Sequence, residues 1–185
     1  MKLLHLLATA AALLFSTGVA VPTPGDDPSE VVQAAQIFRR ADTPEYAAAH
    51  AAHPDLVAGT KYVFELTWAN GGGYTSPELK AYCERLGFKH KAVLVGYVSG
   101  GGRRDTDFVG TTYDLLKNEE DKGVYSGSLQ WKHGRETLSY IGELKSGMTD
   151  SKIKAAGKEI IGTQHYQPDV FDCKSFADAL AAAIA

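Results

Sequence analysis

The chain has 185 residues, of which 44% are hydrophobic, 22% charged and 10% aromatic. This composition is typical of a globular protein and excludes collagen-like, coiled-coil and disordered chains. Nineteen basic residues against 22 acidic ones give a net charge of -3. A protein that holds a nucleic-acid backbone carries a basic surface, so we expect no nucleic-acid partner. The sequence contains no phosphate-loop, zinc-ligand or serine-elbow motif, and we expect no cofactor.

Residues 1–20 predict a secretory signal peptide. Lys2 gives a positive start, residues 3–15 are largely apolar, and the small residues Gly18 and Ala20 stand where a signal peptidase reads. The apolar run is shorter than the ~20 residues that a membrane-spanning helix requires. We therefore expect a secreted, extracellular protein that has no membrane association after the signal is removed.

Residues 21–40 are predicted to form a pro-segment. They are rich in proline, alanine and acidic residues, and they end in the dibasic pair Arg39-Arg40. Such a pair resembles the sites cut by processing proteases of eukaryotic secretory pathways, and a solvated basic turn is an equally good interpretation. The remaining residues, 41–185, are expected to form a single globular domain.

Capping chemistry and hydrophobic periodicity predict the first elements of this domain. An Ala-rich helix begins at Thr43, and Lys61 to Trp68 alternates in the manner of a half-buried strand. A flexible turn at residues 70–73 follows the strand. A second helix begins at Ser76, carries Cys83 on its apolar face and ends at Gly87.

The second half of the domain is predicted to hold most of the sheet. Residues 92–98 are continuously apolar, as expected for a central strand, and His90 lies at the start of this strand. Short connections favour antiparallel pairing of the strands that follow, with His133 in a hairpin turn. We predict an α+β fold in which helices pack on an antiparallel sheet of about five strands and a late helix carries Cys173. The remaining predicted strands are 108–116, 124–131 and 137–144, and the remaining helices begin at Thr149 and Asp172.

Cys83 and Cys173 have two interpretations. Two cysteines in a secreted domain predict one disulfide, which would stabilise the fold by about 4 kcal/mol in the chain-entropy model. Alternatively, Cys173 lies in the first turn of a helix capped by Asp172, where the helix dipole favours the thiolate that a nucleophile needs. Such a nucleophile requires a base, and His90 on its rigid strand is the candidate.

The other histidines do not predict a metal centre. His50 and His53 are three residues apart near Asp55, but no third ligand of defined spacing accompanies them. An exposed Ala-rich helix often carries such residues, and His133 and His165 fall in predicted loops. We therefore expect no metal site.

Residues 166–180, YQPDVFDCKSFADAL, resemble a block of the circularly permuted papain-like superfamily, which includes lecithin:retinol acyltransferase relatives and PPPDE-type isopeptidases. The block places a tyrosine before the cysteine, a phenylalanine three residues after it and a leucine seven residues after it. In those families the cysteine follows the histidine in the chain and begins a late helix. The resemblance implies a permuted papain-like fold over about residues 87–184, with Cys173 as nucleophile and His90 as its base.

Three features depart from the family pattern. Phe171-Asp172 replaces the asparagine pair that usually precedes the cysteine, and an acidic neighbour would raise the pKa of the thiol. The polar residue that orients the imidazole has no clear match, and Asp107 and Thr111 are the candidates. A disulfide to Cys83 would consume the nucleophile, so the fold can exist in a catalytically inactive secreted member.

Two functions follow from these alternatives. The first is a secreted binding or effector-type protein, stapled by a Cys83–Cys173 disulfide, that recognises a protein or a cell-surface ligand through its loops. The second is a secreted hydrolase or acyl-transfer enzyme, in which Cys173 attacks an amide, ester or thioester carbonyl and His90 moves the proton. The departures from the family pattern favour the first function, and we expect a monomer in either case.

Overall fold

The computed structural model describes residues 42–70, 77–101, 104–117 and 123–185. The predicted signal peptide (1–20), the predicted pro-segment (21–40) with its dibasic pair and the predicted turn at 71–73 lie outside these residues. Those three interpretations therefore stay predictions.

The described residues form four helices and five strands. The predicted order of elements is confirmed, and the fold is α+β. No helix within the described ranges is long and apolar enough to cross a membrane. The elements are α1 (Pro44–Ala52), β1 (Lys61–Ala69), α2 (Pro77–Leu86), β2 (Phe88–Gly101), β3 (Arg104–Lys117), β4 (Gly123–Gln130), β5 (Glu136–Glu143), α3 (Asp150–Ile161) and α4 (Cys173–Ile184).

The five strands form one antiparallel sheet in the order β4-β3-β2-β1-β5. The most apolar strand, β2, is the middle strand of this sheet, as its continuous hydrophobic run predicts. β1 departs from the predicted half-buried pattern at Val63, which is as fully buried as its neighbours Tyr62 and Phe64. The other residues on the Val63 face of β1 are exposed or partly buried, as predicted.

Each face of the sheet carries its own hydrophobic cluster. The first cluster joins odd-numbered strand residues such as Val63 and Val93 to Phe176 and Leu180 of α4. Even-numbered strand residues such as Phe64 belong to the second cluster, together with residues of α1 and the connection after β4. Successive side chains of a strand point to opposite faces, so α4 and α1 lie on opposite sides of the sheet.

The connection between β4 and β5 differs from the predicted hairpin. These strands lie at opposite edges of the sheet, so His133 stands in a crossover and the hairpin prediction is wrong. The crossover is held by the buried carboxylate of Glu136, which accepts hydrogen bonds from the Trp131 indole at 2.8 Å and the Gly134 N–H at 3.1 Å. Burial disfavours the charge of Glu136, but these hydrogen bonds outweigh it and lower the pKa of the carboxyl.

The helix ends lie where the capping residues predict them. Thr43 and Thr149 each accept a hydrogen bond from a backbone N–H three residues later, and Gly87 ends α2 with a φ of 81°. Asp172 caps α4, and Ser175 completes the reciprocal capping box. This box fixes Cys173 as the first residue of α4.

Helix α4 is anchored along its whole length. Its apolar face buries Phe176, Leu180 and Ile184 in the first cluster. On the sheet side, the ammonium of Lys91 lies 2.5 Å from Asp178 of α4. At the C-terminal end, the Lys145 ammonium donates to the carbonyl oxygens of residues 182 and 183 at 3.0 and 2.9 Å. The position of Cys173 relative to the sheet is therefore well defined.

Candidate active site

The N-terminal end of α4 and the start of β2 meet at an open groove of about 910 Å³. Both Cys173 and His90 line it, together with the aromatic side chains Tyr82 and Tyr166. The other lining residues are partly apolar and partly charged, and the charged ones include both acidic and basic side chains. The apolar residues are Leu79, Ala81, Leu115, Leu116 and Pro168, and the charged ones are Glu78, Arg85, Lys89 and Asp169.

The two residues predicted as a nucleophile and its base lie together in this groove. Cys173 is buried at the start of α4, and its side chain lies close enough to the His90 imidazole to raise the pKa of the ring. His90 reaches this position because β2 begins directly after α2, beside the N-terminal end of α4. The side chain of His90 is 31% exposed, so a molecule in the groove has access to the imidazole.

Asp114 of β3 is the polar residue that orients the imidazole. Its carboxylate oxygen lies 3.2 Å from Nε2 of His90. The candidates Asp107 and Thr111 are wrong, since Asp107 instead accepts a hydrogen bond from the Thr43 hydroxyl at 2.7 Å. Thr111 pairs with β2 through Val95, far along the strand from His90.

His90 carries a positive charge at neutral pH. Burial by itself lowers the pKa of the imidazole, but the hydrogen bond that the ring donates to Asp114, together with the influence of Asp114 and Cys173, outweighs burial and raises the pKa to about 9. A charged imidazole beside a cysteine is the arrangement in which the thiol gives up its proton.

Trp68 covers the other side of the imidazole. It stands opposite His90 in the β1–β2 register, and their ring centroids are 5.3 Å apart. An aromatic ring at this distance restricts the orientations open to the imidazole and excludes water from one side. The position of Trp68 beside His90 was not predicted, because it depends on the register between β1 and β2.

The charge of Asp172 is taken up by the helix that it caps. Its carboxylate accepts hydrogen bonds from the N–H groups of Ser175 at 2.9 Å and Asp169 at 3.1 Å, and from the hydroxyl of Tyr82. Burial disfavours the charge, but these hydrogen bonds outweigh it and lower the pKa of Asp172. The expected conflict between an acidic residue and the neighbouring Cys173 is thereby reduced.

The aromatic side chain of Tyr166 also lies near the Cys173 thiol. Burial raises the pKa of Tyr166, and the negative charges of Cys173 and Asp172 raise it further. The hydroxyl is therefore protonated at neutral pH, and Tyr166 lies near the Cys173 side chain at the wall of the groove. The tyrosine belongs to the sequence block that resembles the permuted papain-like families, but its contact with the thiol was not predicted.

Cys83 of α2 lies near the same thiol. Both cysteines are buried and are free thiols in this structure. Burial raises the pKa of Cys83, and the charge of Cys173 raises it further. The two side chains are thus electrostatic neighbours, and a disulfide between them stays a prediction.

Two of the other histidines, His53 and His133, have structural contacts. His53 stacks on Tyr140 with ring centroids 3.9 Å apart, and His133 lies 3.3 Å from Glu136. Among the described residues, no three His, Cys, Asp or Glu side chains form a group that could hold a metal ion. The candidate site is therefore built from Cys173, His90 and Asp114.

No family model, curated protein or solved structure that was compared with this chain matches it. The resemblance to the permuted papain-like superfamily accordingly stays a prediction. The chemistry available to the site follows from its own geometry.

Substituting Asp114 with Asn is expected to lower the pKa of His90. The change replaces a charge-assisted hydrogen bond with a neutral one, which should shift the pKa down from about 9 by about one unit. NMR titration of the imidazole would measure it, with His90→Asn to assign the resonance.

Asp107→Asn is the matched control, because it neutralises a carboxylate of the same strand that bonds Thr43 instead. An unchanged His90 titration in Asp114→Asn would contradict the assignment.

The folded pKa of about 9 lies above the unfolded value of about 6.5. His90 therefore stabilises the fold fully below the unfolded pKa, and this contribution is lost as the pH rises through the folded pKa.

Proposed function

We propose that this chain is a cysteine hydrolase or acyl-transfer enzyme. The observation that carries the proposal is that Cys173 and His90 line the same groove, where the Asp114 carboxylate lies 3.2 Å from Nε2 of His90. A nucleophile, a base in contact with it and a third group that orients the base form the arrangement that acyl transfer requires. Of the two functions that the sequence leaves open, this geometry favours the enzyme.

Acylation begins from an ion pair in which the protonated His90 imidazole already holds the proton of the Cys173 thiol. Because Asp114 occupies Nε2 of His90, the mechanism assigns Nδ1 to the thiol. The sulfur then bonds to the substrate carbonyl carbon while the carbonyl π electrons move to the oxygen. When this intermediate collapses, the bond to the leaving group breaks and the leaving group takes the proton from His90, so that a thioester remains on Cys173.

Deacylation reverses the roles of the same residues. A water molecule, or an alcohol or amine acceptor, gives its proton to His90 and bonds to the thioester carbonyl carbon. The carbon–sulfur bond then breaks, and its electrons return to Cys173 as a thiolate beside the protonated imidazole. Asp114 holds the ring in one orientation throughout, which is the role of the third group in such sites.

The negative oxygen of each intermediate has two donors nearby. The backbone N–H of Cys173 belongs to the first turn of α4, where the helix dipole favours negative charge. Tyr166 lines the groove near the Cys173 side chain, and its hydroxyl remains protonated at neutral pH. Donors held in place before the reaction stabilise the developing charge without reorganisation.

The groove suits a substrate with an apolar group next to the reacting carbonyl. Leu79, Leu115 and Leu116 form an aliphatic wall, and Leu116 is 46% exposed. Burial of such a group would supply binding energy in proportion to the apolar area removed from water. The charged residues Arg85 and Asp169 form an ion pair with each other, so their charges largely compensate.

A labelling experiment on the purified protein tests the proposal. The folded protein is treated with a limiting amount of iodoacetamide without reductant, the modified residue is located by peptide mapping, and turnover of nitrophenyl esters, thioesters and peptide anilides is followed in parallel. The enzyme is expected to carry its label on Cys173 and to lose turnover in proportion to labelling.

The opposite result has its own signature. A native mass two hydrogens below that of the reduced chain, with no labelled cysteine and no turnover, would indicate the Cys83–Cys173 bridge. The stapled binding protein would then be the better description of this chain.

A further inference from the structure

Tyr82 of α2 connects two helices at the candidate nucleophile. The ring is buried, and its hydroxyl donates a hydrogen bond to the carboxylate of Asp172, the capping residue of α4. The N–H of Asp169 closes the arrangement, since it lies 3.3 Å from the Tyr82 oxygen and 3.1 Å from the same carboxylate oxygen of Asp172. Burial and the hydrogen bond to Asp172 both raise the pKa of Tyr82, so its hydroxyl keeps its proton.

This connection matters because Asp172 directly precedes Cys173. A buried carboxylate so close to a thiol opposes formation of the thiolate, since two like charges in a poorly solvated site repel each other. The repulsion between the Asp172 carboxylate and the Cys173 thiolate is smaller when hydrogen-bond donors hold the carboxylate at the helix cap and stabilise its charge. Tyr82 is the donor that comes from another helix, while the Ser175 and Asp169 donors are backbone N–H groups close in sequence.

Several charged or titratable groups surround Cys173 and could set its reactivity. His90 bears the favourable charge, and the Arg85 guanidinium pairs with Asp169 and lies over the Tyr82 ring, 5.3 Å from its centroid. Tyr82 is the member of this set whose side chain donates to the Asp172 carboxylate. The full set is Glu78, Tyr82, Cys83 and Arg85 from α2, Lys89 and His90 from β2, Asp114 from β3, Tyr166 and Asp169 from the preceding loop, and Asp172 and Lys174 at α4.

We propose that Tyr82 is a positioning residue for the nucleophile: it holds the Asp172 carboxylate on the cap of α4 and so keeps the Cys173 thiol reactive. This role rests on the proposed function of Cys173 as nucleophile. It also accounts for an aspartate where the resembling families have asparagine, because the hydroxyl offsets the extra negative charge. Tyr82 itself takes no part in the bonds made or broken.

The test follows the alkylation rate of Cys173 by iodoacetamide between about pH 5 and about pH 9, with peptide mapping to separate Cys173 from Cys83. Tyr82→Phe is expected to slow the reaction by about threefold to tenfold below its midpoint. The midpoint itself should move up by about 0.5 to 1 pH unit. Tyr62→Phe is the matched control, because Tyr62 is also buried and the substitution removes a hydrogen bond that its hydroxyl oxygen accepts from the Val57 N–H at 2.6 Å. Its alkylation profile should equal that of the unsubstituted protein.

A second variant separates an electrostatic role from a general loss of structure. Asp172→Asn keeps a good capping residue but removes the charge, so it should leave the alkylation midpoint at or below its original value. In the Asp172→Asn background, Tyr82→Phe should no longer shift the midpoint. Asp172→Asn also supports or overturns the role by itself if Tyr82→Phe does not fold.

Each contrary outcome has a distinct meaning. An unchanged profile in Tyr82→Phe overturns the positioning role, as does a shift that persists undiminished in the Asp172→Asn background or an upward shift in Asp172→Asn alone. These results leave the proposed function intact. If Cys173 of the unsubstituted protein is not alkylated at all, the proposed function itself fails, and the role of Tyr82 fails with it.

Discussion

Cys173→Ala is expected to lower kcat/KM for any acyl substrate by at least about 10³-fold, because the nucleophile is removed and no covalent intermediate can form. Cys83→Ala is the matched control. It removes the same group from a buried position on the neighbouring helix, and turnover should stay within about threefold of the original value. Steady-state assays on the best substrate from the panel would measure both variants.

The same pair of variants also examines the disulfide. If a bridge joins Cys83 and Cys173, both substitutions should lower the free energy of unfolding by similar amounts of about 2–5 kcal/mol. A free Cys173 instead predicts unequal effects, with the loss of turnover confined to Cys173→Ala. Equal stability losses in a protein that has no turnover would contradict the enzyme and support the binding protein.

Phe176→Ala is expected to lower the free energy of unfolding by about 3–5 kcal/mol. The ring is 0% exposed and packs in the first cluster with Val93 and Tyr113, where its removal leaves a cavity under the first turns of α4. Urea denaturation would measure the change. Val170→Ala is the control, because that side chain is 62% exposed and its loss should cost less than about 0.5 kcal/mol.

A cost for Phe176→Ala below about 1 kcal/mol would contradict the described docking of α4 on the sheet. A cavity at this position would also loosen the support of Cys173. The alkylation rate of Cys173 should therefore change in Phe176→Ala while it stays constant in Val170→Ala.

Local chemistry was sufficient to predict the helices and strands. Thr43, Thr149 and Asp172 could be predicted as capping residues, because each accepts a hydrogen bond from a backbone N–H only three residues later in the sequence. The continuous apolar run of β2 likewise predicts a central strand. Burial of Val63 was not predicted, because alternation normally indicates that one face of the strand is exposed to solvent. Val63 lies on that second face of β1 and is buried.

Strand order was beyond local reasoning. The short connection between β4 and β5 suggested a hairpin, because antiparallel neighbours are usually joined that way. Two buried side chains decide otherwise, since the Trp131 indole and the Glu136 carboxylate fix the crossover through a hydrogen bond. Such a contact depends on the assembled core, so neither residue announces it alone.

The candidate site was predicted in part. Cys173 at a helix start and His90 at a strand start carry signals in their own segments, and the sequence paired them. The position of Asp114 next to His90 depends on the register between β2 and β3. The pairing of these strands is irregular near Ser99 and Gly101, so the sequence alone does not give the register. One clue was present, because Asp114 is a carboxylate between Tyr113 and Leu115, both of which are buried.

The distribution of the site along the chain bears on how the protein is made. His90 and Asp114 belong to adjacent strands, so this pair can assemble while a ribosome is still synthesising the segment that contains Cys173. The thiol meets the imidazole only when α4 docks on a completed sheet. In the proposed enzyme, the cysteine of a nascent chain is therefore unactivated, and it becomes reactive only when α4 docks on the sheet.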